Sequence, residues 1–243
     1  MEIENGLEIH HDGDLPAQSG LGTSSAFTVG LLFALHILQN KPIGKLDLAL
    51  EAIHVEQDLI HETVGSQDQC ACSYGGLNFM QFGRQPPIIT KIDLPKKRLD
   101  EFQSYLMLVF TGFPHMASSV AKTYDFNKDE EINEMVWMAY ESRKILDSGD
   151  LKDFGKLLNE SWQLKKSLSS QISNPYIDYV YDTAMKSGAL GGKLCGAGAG
   201  GFMLLYADPD KQKYIKEKLS GLLYVPFQFE NQGAQLVFAN SGA

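Results

Sequence analysis

SGLGTSSAFTVGLLFALHIL, residues 19–38, puts two glycines, three adjacent hydroxyl side chains and then a long apolar run into one short stretch. Gly20 and Gly22 let the backbone approach a ligand closely. Phe27, Leu31, Leu32, Leu35 and Leu38 recur at helical spacing. A helix that begins behind such a loop turns its free N–H groups and positive dipole end toward whatever the loop meets, and that favours an anion. The hydroxyls of Thr23, Ser24 and Ser25 can add hydrogen bonds or ligate a hard cation such as Mg²⁺. The same residue types also serve as ordinary turn and N-cap residues, so the stretch reads either as an anion site or as a capped helix.

The rest of the chain limits what the anion can be. The 243 residues carry a formal net charge of −9 with a pI near 5.1, which disfavours nucleic acid or an anionic membrane as partner. A phosphorylated ligand must therefore be held by local devices: backbone N–H groups, helix N-termini and a bound cation. No apolar run approaches the roughly 20 residues of a membrane span, and Met1-Glu2-Ile3-Glu4-Asn5 lacks the pattern of a secretory signal. The expectation is a cytoplasmic protein. Cys70, Cys72 and Cys195 form no C-x-x-C pair and read as core thiols.

Outward from the quoted stretch, periodicity predicts a strand over 7–11 and a helix over 46–62. A short helix over 67–73 and strands over 77–82 and 102–111 come next. Helices are expected over 127–148, 151–168, 175–186 and 211–219, and strands over 202–206, 225–229 and 235–238. The lysine-rich stretch Pro95–Arg98 marks a candidate boundary between residues 1–97 and 98–243. The order is that of a two-layer α+β protein, not a regular βαβ series.

Three further features bear on chemistry. Leu46, Ala49, Leu50, Ile53 and Ile60 line one stripe of the second helix, and Glu56 falls beside that stripe while Glu51, Asp58 and Glu62 point away. An unpaired carboxylate there is costly to desolvate, so Glu56 either has a cation partner or reaches the edge of the stripe to meet water. Asp68 stands near the start of the third helix, where the dipole favours its ionised form; it reads as a base for a substrate hydroxyl or as a helix cap. Gly196-Ala197-Gly198-Ala199-Gly200-Gly201 matches G-x-G-x-x-G, but Phe202–Tyr206 after it reads as a strand. The dinucleotide reading fails on that context, leaving a tight backbone approach at a sheet edge or a glycine-rich turn. The histidines offer no H-x-x-x-H pair, and Gly192-Lys193 is followed by Leu194, which excludes a Walker loop.

Taken together, Pro16 through Ala26 and Gly196 to Gly201 resemble the second and third motifs of the GHMP kinases, in the family's order. The resemblance implies a two-domain α+β architecture with a truncated N-terminal domain and a C-terminal ferredoxin-like α/β sandwich. It further implies ATP and Mg²⁺ as cofactors. Nucleotide contacts would come from Ser19, Gly20, Leu21, Gly22, Thr23, Ser24 and Ser25, and from Gly196, Ala197 and Gly198. Mg²⁺ ligands would be Ser24 and Glu56, and the catalytic base Asp68, which lies after Glu56 at the family's twelve-residue spacing. Within the superfamily, Val64–Gln69, Tyr74–Asn78, Thr111-Gly112-Phe113 with Ala117-Ser118, and Gly191-Gly192-Lys193 resemble the sugar kinases that phosphorylate C1 of D-glycero-D-manno-heptose 7-phosphate. A sugar phosphate acceptor is thereby implied, with Lys193 as an anion partner; His115 stands where that subgroup usually carries Arg. Kinases for another acceptor such as fucose, and a non-catalytic nucleotide-binding remnant, are the alternative readings. The family's first motif has no counterpart in Met1–Asp14, so an incomplete N-terminal sheet with an exposed edge is expected.

Overall fold

The computed structural model describes residues 3, 6–15, 19–83, 86–112 and 120–238. The quoted stretch forms α1 (Thr23–Leu38), and after it come α2 (Lys45–Ile53), a π-helical segment (His54–Leu59) and α3 (Gln67–Tyr74). Val29, Leu32, Leu48 and Ala52 bury together between these helices, each large apolar side chain worth about 1.5–3 kcal/mol when fully withdrawn from water. β1 (Asn78–Gln81) and β2 (Ile88–Lys91) then pair as an antiparallel hairpin.

The second half is built on one antiparallel sheet. α4 (Lys96–Tyr105) runs directly into β3 (Leu106–Phe110); α5 (Asp129–Ser148), α6 (Leu151–Ser167) and α7 (Pro175–Lys186) precede β4 (Ala189–Leu194) and β5 (Phe202–Ala207); α8 (Pro209–Lys218) and β6 (Leu223–Val225) complete it. The strand order β4-β5-β3-β6 is that of a ferredoxin-like sandwich with extra helices in its first crossover. Local chemistry sets the helix ends. The Asp150 carboxylate accepts from Lys152 N at 2.9 Å, and the Asn174 side chain from Tyr176 N and Ile177 N at 3.0 Å, so α6 and α7 start at side-chain caps. The Arg98 guanidinium donates to the carbonyls of Ile145 (2.5 Å) and Gly149 (2.7 Å), satisfying the end of α5.

This layout creates two cores. Trp162, Ile172, Ile177, Leu194, Met203, Leu205 and Ile215 fill the sandwich. Phe102, Tyr105, Leu106, Leu146 and Tyr206 form a second cluster, with Leu77 and Phe79 from before α4 packed on it, so apolar contacts cross the expected boundary near residue 97. α6 lies so close to β4 that a Cβ on Gly191 would come within 1.9 Å of the Gly155 carbonyl oxygen.

Several expectations change. Residues 7–11 are exposed and form no strand among the described residues. Phe102–Tyr105 belongs to α4, because their burial alternates on the helical period against Leu146 and Tyr206 and only Leu106 onward enters the sheet. β4 escapes sequence reading because Gly191 and Gly192 dilute its strand signal, and β2 because only four residues carry it. The expected strands over 225–229 and 235–238 reduce to Leu223–Val225. Beyond β6 the chain leans on α3 instead: Gly76 N donates to Glu230 O at 2.5 Å, and Lys45 Nζ donates to the carbonyls of Tyr74 (2.8 Å) and Gln232 (2.7 Å).

Candidate active site

The two glycine loops meet. Gly20 and Gly22 adopt φ of +79° and +68°, and a Cβ on Gly20 would sit 3.0 Å from Cys195 O. A Cβ on Gly196 would lie 2.8 Å from Gly20 Cα, and one on Gly201 2.2 Å from Ser19 O. Phe202 N donates to that same Ser19 carbonyl at 3.2 Å. The cluster at 196–201 is thus the β4–β5 connection in backbone contact with the loop before α1, as the tight-approach reading expected. Its far side is fixed by Ala199 N donating to Ile172 O at 2.8 Å and by the Tyr124 hydroxyl donating to Ala197 O.

Gly22 is the N-cap of α1, and no side chain caps that helix among the described residues. The first-turn N–H groups at Thr23, Ser24 and Ser25 therefore keep their capacity to meet an anion, and the capped-helix alternative does not hold. Gly22 also receives Asp68: a Cβ there would lie 3.0 Å from the Asp68 carboxyl carbon and from Oδ2. Glycine is required at this position both by its left-handed backbone and by the carboxylate packed on it.

Glu56 is 1% exposed. The buried face of α2 runs through Leu48, Ala49 and Ala52 while Leu46, Leu50 and Ile53 of the expected stripe are half-buried, and Glu56, four residues after Ala52, continues that face at the start of a π-helical segment in which Ile60 N donates to Val55 O at 2.9 Å. Ile60, expected on the buried stripe, is 58% exposed where it ends the π-helical segment. Glu56 Oε2 accepts from Ser25 Oγ at 2.9 Å and from Gln69 Nε2, while Oε1 has no hydrogen-bond partner. The hydroxyl that reaches Glu56 is that of Ser25, buried on the inner face of α1; Ser24, one residue earlier, is rotated about 100° outward and exposed. Gln69 is fully buried beside it. Its place in the Asp68-Gln69 pair was visible in the sequence, but its contact with Glu56 is a tertiary one made where α3 packs on the preceding helices.

Electrostatics tie the group together. Burial, and then the charge of Glu56, push the Asp68 carboxyl above its ordinary value, outweighing the helix-dipole effect expected from its position on α3. Cys72, one turn along α3, is pushed up to about 11 by burial and by Asp68 and Glu56, so this thiol stays neutral.

A buried carboxylate with one oxygen unpartnered and a hydroxyl against the other fit Mg²⁺, which takes hard oxygen ligands and is commonly held by one or two carboxylates together with substrate phosphates, and the bare helix N–H groups suit those phosphates. Among the described residues no group of three or more His, Cys, Asp and Glu converges on a metal position. Lys193 lies on β4 two residues from Gly191, hence on the same face toward α6. His115 lies outside the described residues, as do Pro16 of the loop motif, Phe113, Ala117 and Ser118. A hollow of about 330 Å³ lined by Lys91, Asp93, Lys96, Asp100 and Phe229, among others, includes none of the residues of this constellation. No helix among the described residues is long and apolar enough to cross a membrane.

The model of the GHMP kinases N terminal domain matches residues 1–76 and that of the GHMP kinases C terminal matches residues 142–224. A D-glycero-alpha-D-manno-heptose 7-phosphate kinase of Campylobacter jejuni is 31% identical over 237 residues, covering 94% of this chain and 70% of that protein. Among solved structures, a D-glycero-D-manno-heptose 1-phosphate kinase from Bacteroides thetaiotaomicron superposes with a TM-score of 0.74 at 27% identity, covering 93% of this chain and 66% of that one. A putative sugar kinase from Campylobacter jejuni superposes with a TM-score of 0.73 at 30% identity, covering 90% and 65%. The chain thus spans about two thirds of these relatives' length. The matches to both domain models and the 31% identity across 94% of this chain show that the chain belongs to the GHMP kinase family.

Proposed function

We propose that this chain carries the phosphoryl-transfer site of an ATP- and Mg²⁺-dependent sugar kinase whose acceptor is a phosphorylated heptose, with the C1 hydroxyl of D-glycero-D-manno-heptose 7-phosphate as the point of transfer. The observation that carries the reading is the packing of the Asp68 carboxylate on Gly22, which puts a base beside a loop built for phosphates. The name of the Campylobacter jejuni relative supports the acceptor class.

In this reading residues 19–25 and the loop Gly196–Gly198 hold the nucleotide phosphates through backbone N–H groups. Glu56 ligates Mg²⁺, and the hydroxyl partner moves from the expected Ser24 to Ser25, the one that touches Glu56; Ser24 then faces the phosphates. Bound Mg²⁺ supplies charge neutralisation across the transferring phosphates. Gln69 and Ser25 orient the Glu56 carboxylate. Asp68 accepts the acceptor's hydroxyl proton as its oxygen bonds to the γ-phosphorus and ADP departs with the bridging oxygen. A raised pKa suits that role, since a base nearer neutrality takes the proton with more driving force.

The test is release of ADP by the purified chain with Mg·ATP against heptose 7-phosphate, the unphosphorylated heptose, fucose and mevalonate. Release that requires heptose 7-phosphate supports the reading; nucleotide binding without turnover on any of them contradicts it.

A further inference from the structure

Adjacent lysines on α6 meet opposite fates. Lys166 pairs with Asp178 at 3.1 Å. Lys165 is only 8% exposed and forms no ion pair with any described carboxylate; its ammonium donates to the Gly196 carbonyl at 2.5 Å. An ammonium offers three donors, and no other acceptor meets it among the described residues. Lys193, half-buried on the face of β4 that looks at α6, likewise has no ion pair or hydrogen bond there. α6 runs alongside β4, with Gly155 and Asn159 on Gly191 and Lys165 on Gly196, so Lys193 falls between those two contacts. Two cations without a carboxylate, one of them nearly buried, are costly unless an anion joins them.

We propose that Lys165 and Lys193 form a subsite for a phosphoryl group, placed where β4 enters the glycine loop and carried by a reactant of the transfer. Burial pushes the Cys195 thiol up, and the charges of Lys193 and Lys165 pull against that shift while that of Asp68 adds to it. Gly196, whose carbonyl Lys165 holds, is also the residue that touches Gly20. Lys165 therefore borders the contact between the two glycine loops. Burial, and then Lys193, push the Lys165 ammonium down to about 7, a cost that a bound dianion offsets. The inference rests on the kinase reading only for which molecule carries the phosphate.

The test compares wild type, Lys165→Met and Lys193→Met by calorimetric titration with a non-hydrolysable ATP analogue, heptose 7-phosphate, the unphosphorylated heptose and inorganic tripolyphosphate. The expected result is a loss of about 10- to 100-fold in affinity for a phosphate-bearing ligand, as for one charge-assisted hydrogen bond, with the unphosphorylated heptose unchanged. Loss in the sugar phosphate arm assigns the subsite to the acceptor, and loss in the nucleotide arm to the donor. Affinities all within about twofold, or an equal loss for the unphosphorylated sugar, overturn the proposal. If wild type binds neither reactant, the kinase reading fails separately, and tripolyphosphate decides the subsite: weakened binding in the variants supports it, and no binding to wild type overturns it. Lys193→Met, at a half-buried position, keeps the test open should Lys165→Met not fold.

Discussion

Replacing Glu56 by Gln separates the cost of a buried carboxylate from its use. In the wild type, Oε2 takes the hydrogen bonds of Ser25 and Gln69, while Oε1 sits buried with no partner. The amide oxygen of Gln keeps both hydrogen bonds and the side-chain shape, and a buried unpaired charge disappears. Metal-free stability should therefore stay within about 1 kcal/mol of wild type or rise. Stabilisation by the loaded site, by contrast, should vanish. At a ligand concentration about 100 times Kd, binding contributes about 2.7 kcal/mol, and a chain of this size shifts its Tm by roughly 2–4 °C per kcal/mol. Thermal melts of wild type with the non-hydrolysable ATP analogue should thus rise by about 5–10 °C more with Mg²⁺ than with chelator. Glu56→Gln should lose most of that Mg²⁺-dependent increment while melting at or above the wild-type temperature without ligand. A variant that keeps the full increment would refute Glu56 as the ion's carboxylate; one that collapses without ligand would refute the claim that its charge is a cost to the fold.

Gly191→Ala should cost at least about 3 kcal/mol, the upper end of overpacking penalties, because its Cβ would land 1.9 Å from Gly155 O between two backbones that cannot both yield; urea denaturation checks this. Lys165→Met should stabilise the ligand-free fold in a pH-dependent way. Wild-type Lys165 has its pKa lowered to about 7 from 10.5, so between those values the unfolded chain holds a proton that the folded chain lacks, and wild-type stability rises with pH across that window. The full cost is present below about pH 7. The variant's advantage should be largest there and shrink by up to about 1.4 kcal/mol per pH unit toward pH 10, and a gap independent of pH would count against the desolvated ammonium.

The features of fold and site that were legible in the sequence are those fixed by local pattern. α1 and its glycine loop, α7 with Asn174 and Pro175 at its start, and the β5 run Phe202–Ala207 each carry their own signal. Glu56 stood out because a carboxylate on an apolar stripe is anomalous on any helix. Its full burial was not legible, since the covered face of α2 runs through Leu48, Ala49 and Ala52, and the packing of α1 and α3 on that face selects it. Ser24 and Ser25 could not be told apart by spacing, because which hydroxyl faces α2 depends on where α1 begins, and Gly22 sets that point. Lys165 was invisible for another reason: it is one of two adjacent lysines near a helix end, and only the long-range packing of α6 on the β4–β5 loop distinguishes it from Lys166. The sign of the Asp68 shift also required the fold, because desolvation and Glu56 outweigh the dipole.

The most direct measurement is transfer of labelled phosphoryl from Mg·ATP to heptose 7-phosphate under single-turnover conditions, by wild type and by Asp68→Ala, with nucleotide affinity determined on the same samples. The site as described predicts a rate loss of about 100-fold or more, in the range for removal of a general base, with nucleotide affinity held within about threefold. Equal loss of transfer and nucleotide binding, or transfer undiminished without the Asp68 carboxylate, would contradict it.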